Sequence, residues 1–86
     1  MANYIVSVVI ENKAGISDPE GDTILNDLVL KGKFKNIKKI SSGTILKFLI
    51  VEKSKDLAKN KVMQICDELR IYNPLVSQIT ATVKEN

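Results

Sequence analysis

Ile45-Leu46-Lys47-Phe48-Leu49-Ile50-Val51, residues 45–51, is apolar on both sides of an extended chain. Leu46, Phe48 and Ile50 point one way, and Ile45, Leu49 and Val51 the other. A strand with one wet face alternates apolar and polar residues, so this stretch reads as a central strand covered on both sides. The block from Tyr4 to Ile10 has the same character. Tyr4, Val6, Val8 and Ile10 share one face, and Ile5, Ser7 and Val9 the other. These two blocks set the frame into which the rest of the chain must fit.

Between them the spacing turns helical from Pro19 to Lys31, where Ile24 aligns with Leu28 and Leu25 with Val29. Asp18 is suited to the N-cap, Pro19 to the first helical position, and Glu20 and Asp22 to the positive end of the helix dipole. Gly21 breaks the pattern, since glycine inside a helix costs about 1 kcal/mol relative to alanine. Close approach of another backbone would explain it. Gly32 is the expected stop. Two extended segments follow, roughly 34–41 and 44–52, and Ser41-Ser42-Gly43 suits a hairpin turn between them. Ser54 then caps a second helix with the apolar stripe Ala58, Val62, Ile65, Cys66 and Leu69. That helix must end before Asn73-Pro74, because the residue preceding proline is driven out of the helical region. A last strand runs from about Leu75 to Lys84.

The order is β-α-β-β-α-β in a single domain spanning 1–86. It predicts an α+β fold with an antiparallel sheet and two helices on one face, the ferredoxin-like arrangement, in which the first and third strands are central. Helices cover one sheet face only. The other, carrying Ile5, Val9, Ile45, Leu49 and Val51, would stand in water unless another copy of the chain, or a loop of its own, covers it. A second copy is the expectation, since the chain has few residues to spare.

Composition excludes most catalytic classes. The 86 residues hold one cysteine and no histidine. A disulfide, a zinc site of the usual kind, a Cys–His dyad and a Ser–His–Asp triad are all impossible within the chain. Cys66 lies in the helical stripe and reads as a small core residue. Asp18, Glu20 and Asp22 read as helix-start residues, not as a Mg²⁺ site or a phosphate cradle. The run Lys31, Lys33, Lys35, Lys38 and Lys39, with a net charge of +3, invites a nucleic-acid reading. However, arginine occurs once against twelve lysines, and base-edge readout favours arginine. Aliphatic residues also occupy the sheet face where RNA-binding relatives of this fold carry aromatic rings. A solvated, strand-guarding edge is the better reading. No apolar run is long enough to cross a membrane, and the N-terminus lacks the features of a signal peptide. A cytoplasmic protein without cofactor, nucleic acid or membrane partner is expected.

Asp18-Pro19-Glu20-Gly21 at the head of the first helix, Gly43 between the middle strands, and Cys66-Asp67-Glu68-Leu69 with Asn73-Pro74-Leu75-Val76 occur in this order along the chain. In this the chain resembles the PurS family, the small subunit of formylglycinamidine ribonucleotide synthase. It departs from the family at Ser41 or Ser42 and Thr44, where relatives often carry basic residues. The resemblance implies a non-catalytic homodimer or tetramer. Its role would be to bridge a PurQ-type glutaminase and a PurL-type ATP-dependent synthetase so that ammonia passes between them in purine biosynthesis. Asp18, Pro19, Glu20, Gly21, Asn73 and Pro74 are then candidates for a partner surface. Two rivals share the strand and helix order: an ACT-like module binding a small molecule, and an RNA-binding domain.

Overall fold

In a computed structural model describing residues 1–86, the apolar blocks form the expected strands. β1 is Ala2–Asn12, β2 is Gly43–Glu52 and β3 is Ser77–Glu85. All pair antiparallel in the order β2-β1-β3. The register sets Val6 between Phe48 and Val83, and Val8 between Leu46 and Ala81. Strand alternation sends these residues to one face. There they meet α2, Lys55–Glu68, whose Ala58, Val62 and Cys66 are buried against Tyr4, Val6 and Val8. Ile10, Phe48, Ile50, Ile71, Tyr72, Ile79 and Val83 close around this core. The Ser54 hydroxyl accepts the Leu57 N–H at 3.2 Å and starts α2 as expected.

At the far end of α2, Arg70 takes the left-handed conformation (φ 51°) and the Ile71 N–H reaches back to the Cys66 carbonyl at 3.0 Å. Asn73 then organises a turn. Its side-chain oxygen accepts the Leu75 N–H at 3.0 Å, and its carbonyl accepts the Ser77 N–H at 2.8 Å. This turn holds Leu75 and Val76 out of the sheet, so β3 begins at Ser77 and not at Leu75. The start of β3 is joined to the end of β1 through Lys13 N–H, which donates to the Val76 carbonyl at 2.9 Å.

The α+β class and the antiparallel sheet agree with expectation, but three details differ. First, residues 34–41 form no strand, so the observed order is β-α-β-α-β. Ser41-Ser42-Gly43 is not a hairpin turn: residues 37–42 run without turn or bend straight into β2. Second, β2 is therefore an edge strand, although its sequence reads as central. Third, the first helix does not lie on the sheet. It begins as α1, Pro19–Thr23, widens into π-helical turns over Ile24–Val29, and packs on neither the strands nor α2. It forms an arm beyond the end of the sheet. The molecule measures 51 × 28 × 14 Å with a radius of gyration of 16.5 Å, against about 12 Å for a compact chain of this length.

Asp18 captures Ser42 and so ties the segment before β2 to the arm's root, which accounts for the missing strand and, with it, the edge position of β2. The widened turns of the arm, with Lys33 left-handed (φ 72°) beyond them, spread the helical stripe. Ile24 and Leu28 are exposed while Leu25 is buried.

Candidate partner surface

The root of the arm is built from the helix-start residues. One oxygen of the Asp18 carboxylate accepts the Gly21 N–H at 3.1 Å and the Ser42 hydroxyl at 2.6 Å. The other accepts the Ser42 N–H at 2.6 Å. Asp18 is thus the predicted N-cap and also a clamp onto a residue far along the chain. The Ser42 hydroxyl above all, then the Ser42 N–H and the Gly21 N–H, hold its carboxyl below the usual carboxylate range, and Lys39 adds to the effect.

Gly21 is buried with the Ile40 carbonyl directly over it, and a side chain there would run into that backbone oxygen. This is the close approach that the glycine's presence in a helix foreshadows. Pro19 occupies the first turn as expected, while Glu20 and Asp22 remain exposed, as residues placed for the helix dipole are. Ser42, missed as a functional residue from the sequence, is the clamp's second jaw. The available signal was its place at the departure from the family pattern, where a serine can donate twice to one carboxylate.

Asn73 and Pro74 lie at the same end of the sheet as the arm root, tied to it through the Lys13–Val76 hydrogen bond. The two halves of the motif, separated along the chain, are thereby brought to one end of the molecule. A cleft of about 210 Å³ beside the root is lined by Asn12, Lys13, Asp18, Lys39, Ser42 and Gln78. A groove of about 430 Å³ runs past Pro74, with Leu75 fully outward at 83% exposure. No group of three or more potential metal ligands gathers anywhere. Cys66 is fully buried, and desolvation pushes its thiol pKa up, away from reactivity. Lys31, Lys33, Lys35, Lys38 and Lys39 all lie exposed on the turns and the extended segment after the arm.

The face of the sheet opposite α2 carries the other candidate surface. Ile5 lies between Leu49 and Lys84, Val9 between Ile45 and Thr80, and Val51 opposite Asn3. Ile5 and Val9 are half-buried by these neighbours, but Ile45, Leu49 and Val51 are 56%, 66% and 58% exposed. No helix, loop or tail of the chain covers this face.

A family model described as PurS, phosphoribosylformylglycinamidine (FGAM) synthase, matches residues 5–85. The chain belongs to the PurS family. It is 33% identical over 81 residues to the phosphoribosylformylglycinamidine synthase subunit PurS of Archaeoglobus fulgidus, covering 94% of this chain and 99% of that protein. Among solved structures it is similar to PurS of Methanocaldococcus jannaschii, with a TM-score of 0.81 and 29% identity over 96% of this chain and 98% of that one. A chain in the structure of PurLQS from Thermotoga maritima shares the fold, with a TM-score of 0.79 and 24% identity over the whole of both chains. The arm, the three-stranded sheet and the single packed helix all lie within these PurS matches.

Proposed function

We propose that this chain is the non-catalytic assembly subunit of phosphoribosylformylglycinamidine synthase, a glutamine-dependent, ATP-consuming C–N ligase of purine biosynthesis. In this role it bridges a PurL-type synthetase and a PurQ-type glutaminase so that ammonia released by one reaches the other. The match to PurS along nearly its whole length carries this reading. The M. jannaschii relative is described as one of the subunits of formylglycinamide ribonucleotide amidotransferase in the purine biosynthetic pathway, and the T. maritima relative was solved as part of PurLQS. A protein whose side chains offer surfaces and no nucleophile, base or metal cluster fits a bridging part. No helix is long and apolar enough to cross a membrane, and a cytoplasmic location accords with the pathway.

Two surfaces are assigned within this role. Asp18, Pro19, Glu20 and Gly21 at the arm root, with Asn73 and Pro74 beside them, form the end offered to the other subunits. Ile5, Val9, Ile45, Leu49 and Val51 form the face on which a second copy packs. Adding the chain to purified glutaminase and synthetase should restore glutamine-dependent product formation, while the synthetase alone should still use free ammonia. Unchanged glutamine-dependent turnover on its omission would end this reading.

A further inference from the structure

The lysines after the arm do not have the role that the sequence offered them. Lysine on an edge strand keeps other strands away, but residues 34–41 form no strand, so Lys35, Lys38 and Lys39 guard nothing. Lys31, Lys33, Lys35, Lys38 and Lys39 are all exposed, and no side-chain hydrogen bond engages any of them. Only Lys39 acts on a carboxylate, that of Asp18, whose oxygens are already taken by Ser42 and Gly21.

Charge is divided unevenly along the chain. From Leu28 to Val51 there are six lysines and no acidic residue, while the remainder holds seven basic and ten acidic residues. That segment therefore carries +6 and the rest of the molecule −3. Five of its charges fall within the nine residues from Lys31 to Lys39, where they repel one another and present a positive surface to any partner. Apolar groups lie among them. Phe34 is 63% exposed, and its ring lies over the backbone of Gly32, where a side chain would crowd it. Leu28 and Ile37, before and after it in the chain, are exposed as well. An apolar centre within a polar rim is the anatomy of a protein interface. A single-stranded nucleic acid calls for several rings on which to stack and for arginine, whereas Phe34 is the one ring between Tyr4 and Phe48. Lys39 also lines the cleft beside the arm root, together with Lys13. The positive surface thus runs on into the end assigned above to the other subunits.

We propose that residues 31–39 form a steering surface that docks on an acidic face of one of the enzymes this chain joins, with Phe34 at its centre. The proposal rests on the assembly role and goes beyond it in naming the surface and the chemistry of its partner. Charges at a rim act before contact. They speed the encounter and are screened by salt, but they change the lifetime of the complex little.

Binding rates of the full chain to immobilised synthetase, and separately to immobilised glutaminase, test this. The association rate constant with one of the two should fall at least about tenfold between about 50 mM and about 500 mM sodium chloride. The triple variant Lys31→Gln, Lys35→Gln, Lys38→Gln spares Lys33, which is left-handed, and Lys39, which adjoins Asp18. At the lower salt it should associate about tenfold more slowly than the parent and dissociate within about twofold of the parental rate. The variant Lys53→Gln, Lys55→Gln, Lys59→Gln removes the same charge from exposed positions on and just before α2, and its association should slow by less than about threefold. Unchanged far-ultraviolet circular dichroism shows that both variants fold. Equal slowing in the two variants would make net charge the cause and overturn the proposal, as would association that ignores salt. Binding of a polyuridine oligonucleotide, lost in the first variant while its enzyme association is unchanged, would assign the surface to nucleic acid and overturn it too. A chain that binds neither enzyme ends the assembly role and the proposal together, whereas parental binding by the first variant ends the proposal alone.

Discussion

Replacing Gly21 by alanine sets two forces against each other, and the structure decides between them. Helix propensity alone favours alanine by about 1 kcal/mol, so an isolated helix would gain. Here the new methyl meets the Ile40 carbonyl, a backbone group with no rotamer to escape into, and it also comes within 3.1 Å of an Asp18 carboxylate oxygen. Overpacking of a tight site costs about 1–3 kcal/mol. The extended segment must shift, and its shift pulls Ser42 from Asp18. Collision outweighs propensity, and Gly21→Ala should lose about 1–2 kcal/mol by urea unfolding at fixed protein concentration, worth a fall of roughly 5–15 °C in Tm for a chain of this size. Asn60→Ala, at an exposed position within α2, serves as the control in which propensity acts alone, and it should be neutral or slightly stabilising. The Ser42 amide, read by hydrogen exchange, reports the clamp itself and should lose protection in Gly21→Ala only. A Gly21→Ala protein more stable than its parent, with that amide still protected, would refute the reasoning.

The remaining predictions concern the clamp, the core and the uncovered face. Asp18 has a folded pKa below its unfolded value of about 3.9, so its contribution is present above that value and is lost as pH falls through the folded pKa. The stability gap between parent and Asp18→Ala should therefore hold constant above about pH 5 and close below about pH 4; a gap that widened on acidification would reverse the sign of the linkage. Cys66, fully buried with its thiol pKa raised, should resist thiol reagents at pH 8 in the native state and react on unfolding, and labelling at the rate of a free thiol would place it outside the core. Val62→Ala, at a site 1% exposed between α2 and the sheet, should cost about 2 kcal/mol, and a loss below about 0.5 kcal/mol would show that α2 packs loosely.

Where physics is local, the sequence was legible. The alternation of Tyr4, Val6 and Val8 against Ile5 and Val9 gives β1 and its two faces, because a strand's period is set by its own backbone. Ser54 and the stripe Ala58, Val62 and Cys66 give α2 and its buried side for the same reason. Gly21 pointed to a nearby backbone because no helical rule explains a glycine there. The errors lie where a long-range bond overrides local preference. Glycine-bearing Ser41-Ser42-Gly43 has hairpin chemistry, but the Asp18 carboxylate takes the Ser42 N–H and hydroxyl, and no local pattern reveals an acceptor from the far side of a helix. With the hairpin went the fourth strand and the central place of β2. Leu75 opens the expected last strand, whereas the side chain of Asn73 holds that residue in a turn.

That β2 looks central in sequence and lies at an edge in the chain is a conflict only for a monomer. A strand apolar on both faces needs cover on three sides beyond its pairing with β1. The core face is met by α2, which leaves the outer edge and the far face, and the far face is the one assigned above to a second copy. Leu49→Lys puts a charge on that uncovered face, so it should weaken self-association. Full burial of leucine is worth about 1.5–3 kcal/mol, and leaving the introduced charge unpaired adds to the loss, enough to remove the larger species at micromolar concentration. Self-association left unchanged in Leu49→Lys, by sedimentation, would mean that Leu49 remains in water even in the assembled protein.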